Sequence, residues 1–334
     1  MKHAKLFSII IFIALMLYGA FGFYTLPLAG YEGGITRVGK LPESLFGWTR
    51  PQPAINPALL QQATWQEADV VVIGDSFSAG RVWQTELIAH GLKVRTLPWR
   101  WPVCEDIASW LSAQGFRGKY VVIESVERVA KASLTQWVEC KKTLLSEKDQ
   151  GNALPPPLVF DREKKDYSGQ MQAGFDTWRN MREYERLAAQ PNFKSKSYNK
   201  VKIVRMPDGC RLFSHKNCRD VPFLTADAGA KELDDEVIRS MEILNARLQG
   251  FSPLWVIVPD KSTAYLYPDK KFWQKAGERV PSVNLLEPVR QAIHEGVVDL
   301  YFANDTHFST TGYLLMGREI YRNLDPAGAV SAQH

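Results

Sequence analysis

Short apolar runs alternate with segments of helical periodicity in two parts of the chain. The runs at 69–73, 93–97, 120–123 and 254–258 are rich in apolar and β-branched residues, as in strands buried on both faces. Between and after them, apolar residues recur every three or four positions, which predicts helices at 79–90, 105–114, 232–248, 285–294 and 310–324. A last strand is predicted at 297–302. This alternation predicts an α/β fold whose parallel sheet is covered on both faces by helices.

The N-terminus carries a long uncharged run. Lys2 and Lys5 precede apolar residues from Leu6 to Leu26, enough for a helix to cross a hydrocarbon core of about 30 Å. Positive charge before the run predicts a cytoplasmic N-terminus and an exported body. The alternative is a cleaved signal peptide, with the small-x-small site at 20–22. We therefore expect either a transmembrane anchor at 1–26 or a cleaved leader.

Two stretches interrupt the α/β pattern. Residues 27–66 are rich in Gly and Pro without periodicity and are predicted to be a tether, followed by a catalytic domain at 67–324 and a tail at 325–334. About 141–230 is predicted to be an insertion. Basic residues there are interleaved with Tyr167, Trp178, Tyr184 and Tyr198. Two interpretations stay open: a solvated insertion with one amphipathic helix near 178–189, or a flap that binds a polymer through aromatic stacking.

The composition and the net charge exclude only a few classes of protein. With 45% hydrophobic and 23% charged residues, the chain is neither disordered nor collagen-like. A net charge of +5 and a pI near 8.9 are too weak to predict nucleic-acid binding, although they favour an anionic surface or polymer.

Four cysteines in an exported chain predict two disulfides. Cys210 and Cys218 would close a short loop, which leaves Cys104 with Cys140, although four cysteines allow three pairings. A zinc site that includes His215 is the rival interpretation. It is disfavoured because C-x2-C spacing is absent and no second histidine is near, so no metal is expected.

The first candidate for chemistry is Ser76, in the sequence Gly74-Asp75-Ser76 where a predicted strand ends and a helix begins. Glycine permits a tight turn, and the serine hydroxyl would project at the carboxyl edge of the sheet. The next backbone N–H groups would lie at a helix N-terminus, where they could face a developing oxyanion. The same motif is also common as a simple helix cap formed by Asp75.

The second candidate is the pair Asp305 and His307, after the last predicted strand. In a parallel sheet this loop would lie at the same carboxyl edge as Ser76. An aspartate two residues before a histidine can accept its ring N–H, fix the tautomer and stabilise the imidazolium. A Ser76–His307–Asp305 triad is therefore predicted, with a capping loop as the alternative for each half.

The segments 74–77 (GDSF) and 305–309 (DTHFS) together resemble the SGNH hydrolase superfamily, and more narrowly its alginate O-acetyltransferase-like branch. The stretches 122–128 and 258–265 support that branch, and the D-x-H spacing differs from the D-x-x-H of GDSL lipases. The chain departs from the pattern in two ways. It has no G-x-N-D block after the third strand, and its serine motif precedes the D-x-H element, unlike the alginate enzymes.

The resemblance implies a three-layer, flavodoxin-like sheet and a periplasmic enzyme, anchored in the inner membrane, that needs no cofactor. It would move an acetyl group onto an exported polysaccharide through an acetyl-Ser76 intermediate, with His307 as base and then acid. The acetyl donor would come from a multi-pass membrane acyltransferase. Gly74, Asp75, Arg128 and Lys261 are oxyanion or substrate-binding candidates, although a surface ion pair is an equal alternative for the last two. A polysaccharide O-acetylesterase and a non-catalytic glycan-binding scaffold are the alternative functions.

Overall fold

The structure is a computed structural model that describes residues 2–99, 106–139, 170–228 and 231–324. Its strands are β1 (Val70–Gly74), β2 (Val94–Pro98), β3 (Tyr120–Val126), β4 (Ser195–Tyr198), β5 (Val201–Arg205), β6 (Asp220–Leu224), β7 (Ser252–Val258) and β8 (Ser282–Val283). Its helices are α1 (Lys2–Thr25), α2 (Gly34–Gly39), α3 (Glu43–Phe46), α4 (Ser76–Ala79), α5 (Gln84–Ala89), α6 (Ile107–Ala113), α7 (Glu127–Glu139), α8 (Met171–Ala188), α9 (Gly209–Leu212), α10 (Thr225–Ala228), α11 (Asp235–Ala246), α12 (Lys261–Leu266), α13 (Phe272–Arg279), α14 (Leu286–His294) and α15 (Thr310–Asn323). Two 3-10 helices, η1 (Leu26–Ala29) and η2 (Pro57–Leu60), complete the elements.

Five strands form a parallel sheet in the order β2-β1-β3-β7-β8. Counted along the chain, these strands have the order 2-1-3-4-5, which is that of flavodoxin-like doubly wound sheets. The direction of winding reverses between β1 and β3. Open α/β sheets bind ligands outside the carboxyl ends of the strands at such a reversal. The loops after β1 and β3 are therefore the first place to look for a site.

Alternate residues of the parallel strands face two separate cores. Val71 and Ile73 of β1 belong to one core with α6, α7, α11 and α13, whereas Val70 and Val72 belong to the other, with α5, α14 and α15. This period of two is the reason why nearly every residue of these strands is apolar. The predicted α/β fold with a helix-covered parallel sheet is confirmed.

The last strand of the sheet differs from the prediction. The segment 297–302 is not a strand, and within the described part of the chain its only β contact is an antiparallel bridge between Tyr301 and Phe308. Asp299, buried with φ of 53°, breaks the extended conformation there. The edge is instead formed by the two residues of β8, which pair with Trp255 and Val256 of β7.

Contacts divide the chain into two compact units that differ from the predicted domains. Unit 1 comprises the described residues up to 50, those from 170 to 225, and 302–306. Unit 2 comprises the described remainder, including the parallel sheet. Residues 27–50, predicted to be tether, are folded within unit 1, because Ile35, Leu41 and Phe46 are completely buried. Helices of four to six residues have too few turns to show periodicity, which is why the sequence did not indicate them.

The insertion is also folded within unit 1. Its amphipathic helix is α8, and β4, β5 and β6 form an antiparallel sheet. Tyr184 and Tyr198 are only 2% and 4% exposed and belong to the core of this unit. They cannot stack on sugar rings, so the flap interpretation is wrong for these two residues. Tyr167 lies outside the described residues.

The apolar N-terminal run forms α1, and the helical stretch from His3 to Ala29 is long and apolar enough to cross a membrane. Most of its large side chains are more than half exposed, as expected for a helix surrounded by lipid. The predicted N-terminal apolar helix is confirmed.

The disulfide between Cys210 and Cys218 is present, as predicted. It uses both sulfurs that a zinc site in this loop would need, and His215 is buried with its Nε2 3.2 Å from the carbonyl oxygen of Asp220. Cys104 and Cys140 lie outside the described residues.

Removing this disulfide is expected to destabilise unit 1 moderately. Replacing both Cys210 and Cys218 with serine should lower the free energy of unfolding by about 2.5 kcal/mol, because the bond closes a short loop in the unfolded chain. Denaturant unfolding of the variant and the parent measures this difference. An unchanged unfolding midpoint would show that the loop is held by its other contacts.

Candidate active site

Ser76 lies at the start of α4, immediately after the carboxyl end of β1. Its side chain is exposed, whereas the neighbouring Phe77 and Ser78 are buried. The strand-to-helix turn therefore presents one hydroxyl to solvent at the point where the winding of the sheet reverses. This placement agrees with the sequence prediction for Ser76.

The structure brings His307 to Ser76, although 231 positions separate them in sequence. A hydrogen bond of 2.9 Å joins His307 Nε2 and Ser76 Oγ. With the imidazole proton on Nδ1, the serine hydroxyl is the donor. The imidazole also contacts the ring of Phe77, with 4.8 Å between ring centroids, and Phe77 itself packs against Phe308. Buried aromatic rings thus fix the histidine at a distance suited to proton transfer.

Gly74 is the residue that allows the turn to pack closely. A Cβ atom at this position would clash with the side chain of Ser78 and would lie 2.6 Å from Glu124 Oε2. Gly74 therefore has a packing role. A substrate contact through its side-chain face is blocked by Ser78 and Glu124.

Asp75 connects the ends of two neighbouring strands. Its Oδ1 accepts from Phe77 N at 2.9 Å, and its Oδ2 accepts from Val126 N, at the end of β3, at 2.8 Å. Both oxygens are thus used to hold the serine turn against β3. This corresponds to the capping interpretation of Asp75, and the substrate-binding role predicted for its carboxylate finds no support in these contacts.

Most of the backbone N–H groups that were expected to face an oxyanion already donate hydrogen bonds within the turn. The N–H of Phe77 donates to Asp75 Oδ1, and the N–H groups of Ser78 and Ala79 donate to the Asp75 carbonyl oxygen. Among the described residues, only the Ser76 N–H of this turn is left to face a reacting oxygen.

A buried carboxyl group, Glu124 of β3, lies directly behind the serine turn. Its side chain is completely buried, and its Oε2 accepts from Asp75 N at 3.0 Å and from Ser78 Oγ at 2.7 Å. Burial raises the pKa of Glu124 well above its usual range, and the negative charge of Asp75 raises this pKa further. Both causes favour the neutral, protonated form of Glu124. Sequence reasoning missed it, because a single acidic residue in an apolar strand was the only signal.

Asp305 is held by the N-terminal segment of unit 1. Its Oδ2 accepts from the backbone N–H of Gly34 at 2.5 Å. The preceding Asn304 is buried, and its carbonyl oxygen accepts from Ile35 N at 3.0 Å and Thr36 N at 3.3 Å. A Cβ atom at Gly33 would clash with Asn304, so glycine permits this close approach.

Glu43 stabilises the same arrangement. Its Oε1 accepts from the N–H groups of Glu32 and Gly33 and from the Thr36 hydroxyl, while its Oε2 accepts from Asn304 Nδ2 at 2.8 Å. One carboxylate thus joins the 32–36 segment to the loop that carries Asp305. The sequence did not indicate the contact with Asn304, because 261 positions separate it from Glu43.

Arg128 is half-buried and Lys261 is buried, so neither residue belongs to an ion pair on the open surface, which was one of the two sequence interpretations. Arg128 Nη1 donates to Asp260 Oδ1 at 2.6 Å, and Lys261 is 1% exposed. Burial raises the pKa of Asp260 to about 8 and that of Asp227 to about 6, since both acids lie in this interior cluster. The cluster, with the Lys270–Glu127 ion pair at 2.5 Å, is built into the carboxyl ends of β3 and β7. These ion pairs give Arg128 a structural role, and a role of Arg128 or Lys261 in substrate binding stays a prediction.

No protein-family model, curated protein or solved structure matches this chain. What the site can do therefore follows from its own groups. An exposed hydroxyl bonded to an imidazole is the arrangement that makes serine nucleophilic at neutral pH. The arrangement is suited to acyl transfer.

Proposed function

We propose that this chain is a membrane-anchored, extracytoplasmic serine enzyme that transfers an acetyl group to an exported polysaccharide. The observation that carries the proposal is the 2.9 Å hydrogen bond between Ser76 Oγ and His307 Nε2. Ser76 is the nucleophile and His307 is the base. Asp305, two positions before His307 along the chain, is assigned the role of orienting the imidazole.

The reaction has two half-reactions. In the first, Ser76 Oγ attacks the carbonyl carbon of the acetyl donor ester while His307 Nε2 takes the hydroxyl proton. The tetrahedral intermediate expels the donor alcohol, which takes that proton from the imidazolium, and acetyl-Ser76 remains. In the second, a sugar hydroxyl attacks the acetyl-serine, His307 takes its proton, and the proton returns to Ser76 Oγ as the acetylated sugar leaves.

Three features support the finer assignment to an SGNH-type, alginate O-acetyltransferase-like enzyme. The strand order 2-1-3-4-5, the GDSF segment and the D-x-H segment are those that the resemblance implies. The N-terminal apolar helix and the Cys210–Cys218 disulfide support a periplasmic body anchored in the inner membrane. Since acetyl-CoA is cytoplasmic, a multi-pass membrane acyltransferase is the proposed source of the acetyl group.

The test is an acetyl-donor assay with the full-length protein in detergent. The protein is incubated with an activated acetyl ester, with and without an acidic oligosaccharide, and with Ser76→Ala as the control. Acetylated sugar, together with a mass increase on the peptide that contains Ser76, is expected. Free acetate alone, from an acetylated Ser76, would identify an O-acetylesterase instead. Absence of any acetyl on Ser76 would contradict the nucleophile assignment.

The Glu43 contacts predict a second effect on this reaction. In Glu43→Ala, the N–H groups of Glu32 and Gly33 and the amide of Asn304 lose their acceptor, which should cost about 2–3 kcal/mol of stability. Displacement of the Asp305 loop should also slow labelling of Ser76 by a fluorophosphonate by about 10- to 100-fold. The matched control is Glu43→Gln, whose side-chain oxygen can still accept from the 32–36 segment and which should keep most of the labelling rate. Equal rates in the two variants would contradict this role of Glu43.

A further inference from the structure

Two exposed apolar side chains lie beside the outer end of α1. Outside α1, the structure exposes five large hydrophobic side chains in its described residues: Val129, Met171, Phe175, Ile243 and Tyr267. Met171 and Phe175 are 41% and 38% exposed and lie one turn apart at the start of α8. Adjacent exposed apolar side chains on one helix face usually mark an interaction surface.

The start of α8 packs tightly against the end of α1. A Cβ atom at Gly22 would clash with the end of the Met171 side chain, and one at Gly174 would lie 2.5 Å from the Thr25 carbonyl oxygen. Gly22 of α1 therefore makes room for the Met171 side chain, whereas Gly174 of α8 allows that helix to approach the backbone at the end of α1. Met171 lies at the level of Gly22, and Gly174 at the level of Thr25.

Further contacts join α8 to the end of α1 and to the segment that follows α1. The rings of Phe175 and Trp178 lie 6.0 and 5.1 Å from the ring of Phe21, between centroids. Between these two aromatic residues in sequence, Thr177 has its Oγ1 2.5 Å from Tyr31 OH. Helix α8 thus begins beside the last turn of α1 and follows the chain as it leaves that helix.

These levels place Met171 at the boundary of the hydrocarbon core. The run from Leu6 to Thr25 would span about 30 Å as a helix, which matches the thickness of that core. Gly22 then lies about 5 Å inside the outer boundary, at about 1.5 Å per residue. Met171, at the same level, would also be within reach of the acyl chains.

The chemistry of this end of α8 suits lipid. Residues 170–175 carry no charge, and the first charged residue of the helix is Asp176. Trp178, a residue type that is enriched near the lipid headgroups of membrane proteins, follows on the same helix. Met171 and Phe175 line one shallow cavity together with Tyr18 of α1, which is 68% exposed, so the exposed apolar surface of α8 is continuous with that of α1. This continuity favours the bilayer over a soluble protein partner.

We propose that residues 171–178 of α8 form a second membrane contact, with Met171 and Phe175 inserted in the outer leaflet beside α1. This surface, the α8 tip, rests on the proposed insertion of α1. It does not depend on the acyl-transfer reaction. Its consequence is that unit 1 is held at the membrane surface by two helices, since interfacial helices insert an apolar face in this way.

The test uses spin labels on the full-length protein in vesicles of phosphatidylethanolamine and phosphatidylglycerol, without other proteins. Labels are placed by Met171→Cys and Phe175→Cys. Arg182→Cys and Glu185→Cys, at exposed positions of the same helix, are the matched controls. Leu15→Cys, in the middle of α1, reports whether α1 itself is inserted, and the unmodified protein gives the background from its own cysteines.

Collision with oxygen, which concentrates in lipid, is compared with collision with a water-soluble nickel chelate. Labels at 171 and 175 are expected to favour oxygen, like the label at 15, whereas labels at 182 and 185 should favour nickel. Labels at 171 and 175 that behave like those at 182 and 185 would overturn the proposal, since the tip would then be in water. Labels that neither reagent reaches would also overturn it, because protein rather than lipid would cover the face. A nickel-accessible label at 15 would overturn the insertion of α1 and, with it, the α8 tip.

Discussion

Replacing Ser76 with alanine is expected to lower the rate of acetyl transfer by on the order of 10⁴- to 10⁶-fold. His307→Ala should have an effect of similar size, because the hydroxyl is nucleophilic only while Nε2 can take its proton. Since the two groups act in one step, the double variant should be no slower than either single variant. The measurement is the steady-state rate with an activated acetyl ester and an acceptor oligosaccharide.

The matched control is Ser112→Ala, which removes an exposed serine from α6. It should retain the parent rate, and all four proteins should unfold at the same denaturant concentration, because Ser76 is exposed and His307 is partly exposed. A Ser76→Ala protein with more than about a tenth of the parent rate would exclude this serine as the nucleophile. If the losses in the double variant multiplied, the two residues would not act as one unit.

The parallel sheet could be predicted from the sequence because its strands are buried on both faces. In β1, β3 and β7 nearly every residue is apolar, and a short run of that kind is typical of a strand buried on both faces. The prediction of a strand from an apolar run was wrong at 297–302. Most residues there are apolar, but Asp299 has a left-handed backbone conformation. It also could not find β8, since two residues show no periodicity.

The pair Ser76 and His307 could be predicted because each lies next to an element that the pattern indicates. The parts that hold Asp305 could not. Gly33, Gly34 and Glu43 lie in a segment without periodicity, and glycine there indicates a flexible tether as readily as a close approach to another backbone. Only the folded structure distinguishes these alternatives, because the contact that requires glycine at position 33 is made by Asn304, about 270 positions away.

The predictions for Arg128 and Lys261 show a related limit. Charged residues after a strand at the carboxyl edge of a sheet are reasonable candidates for substrate binding. Here Arg128 pairs with an aspartate that is completely buried, and Lys261 is buried itself. Burial of a charge depends on which acids reach it from other elements, in this case Asp260 and Asp227, and the pattern along one segment does not contain that information.

Replacing Glu124 with alanine is expected to lower the free energy of unfolding by about 3–5 kcal/mol. The change removes the acceptor of Asp75 N and Ser78 Oγ and leaves a cavity behind the serine turn. Glu124→Gln keeps a carbonyl oxygen for both donors and nearly the same volume, so it should retain the fold and the acyl-transfer rate at neutral pH. Denaturant unfolding in detergent, followed by tryptophan fluorescence, measures the difference.

The pH dependence of the free energy of unfolding distinguishes the effect of protonating Glu124 from the effect of the volume and hydrogen bonds of its side chain. Because burial raises the pKa of Glu124 in the folded state, folding takes up a proton above the unfolded pKa of 4.5. Its contribution to stability is therefore complete below pH 4.5 and decreases as the pH rises towards the folded pKa, by up to about 1.4 kcal/mol per pH unit. Glutamine is neutral throughout, so the stability of Glu124→Gln relative to the parent should increase from pH 5 to pH 8. Glu278→Gln, which neutralises an exposed carboxylate on α13, should leave the slope of the parent unchanged. A parent and a Glu124→Gln variant with parallel pH profiles would mean that Glu124 is ionised in the folded protein, and the serine turn would then rest on a buried charge instead of a neutral acid.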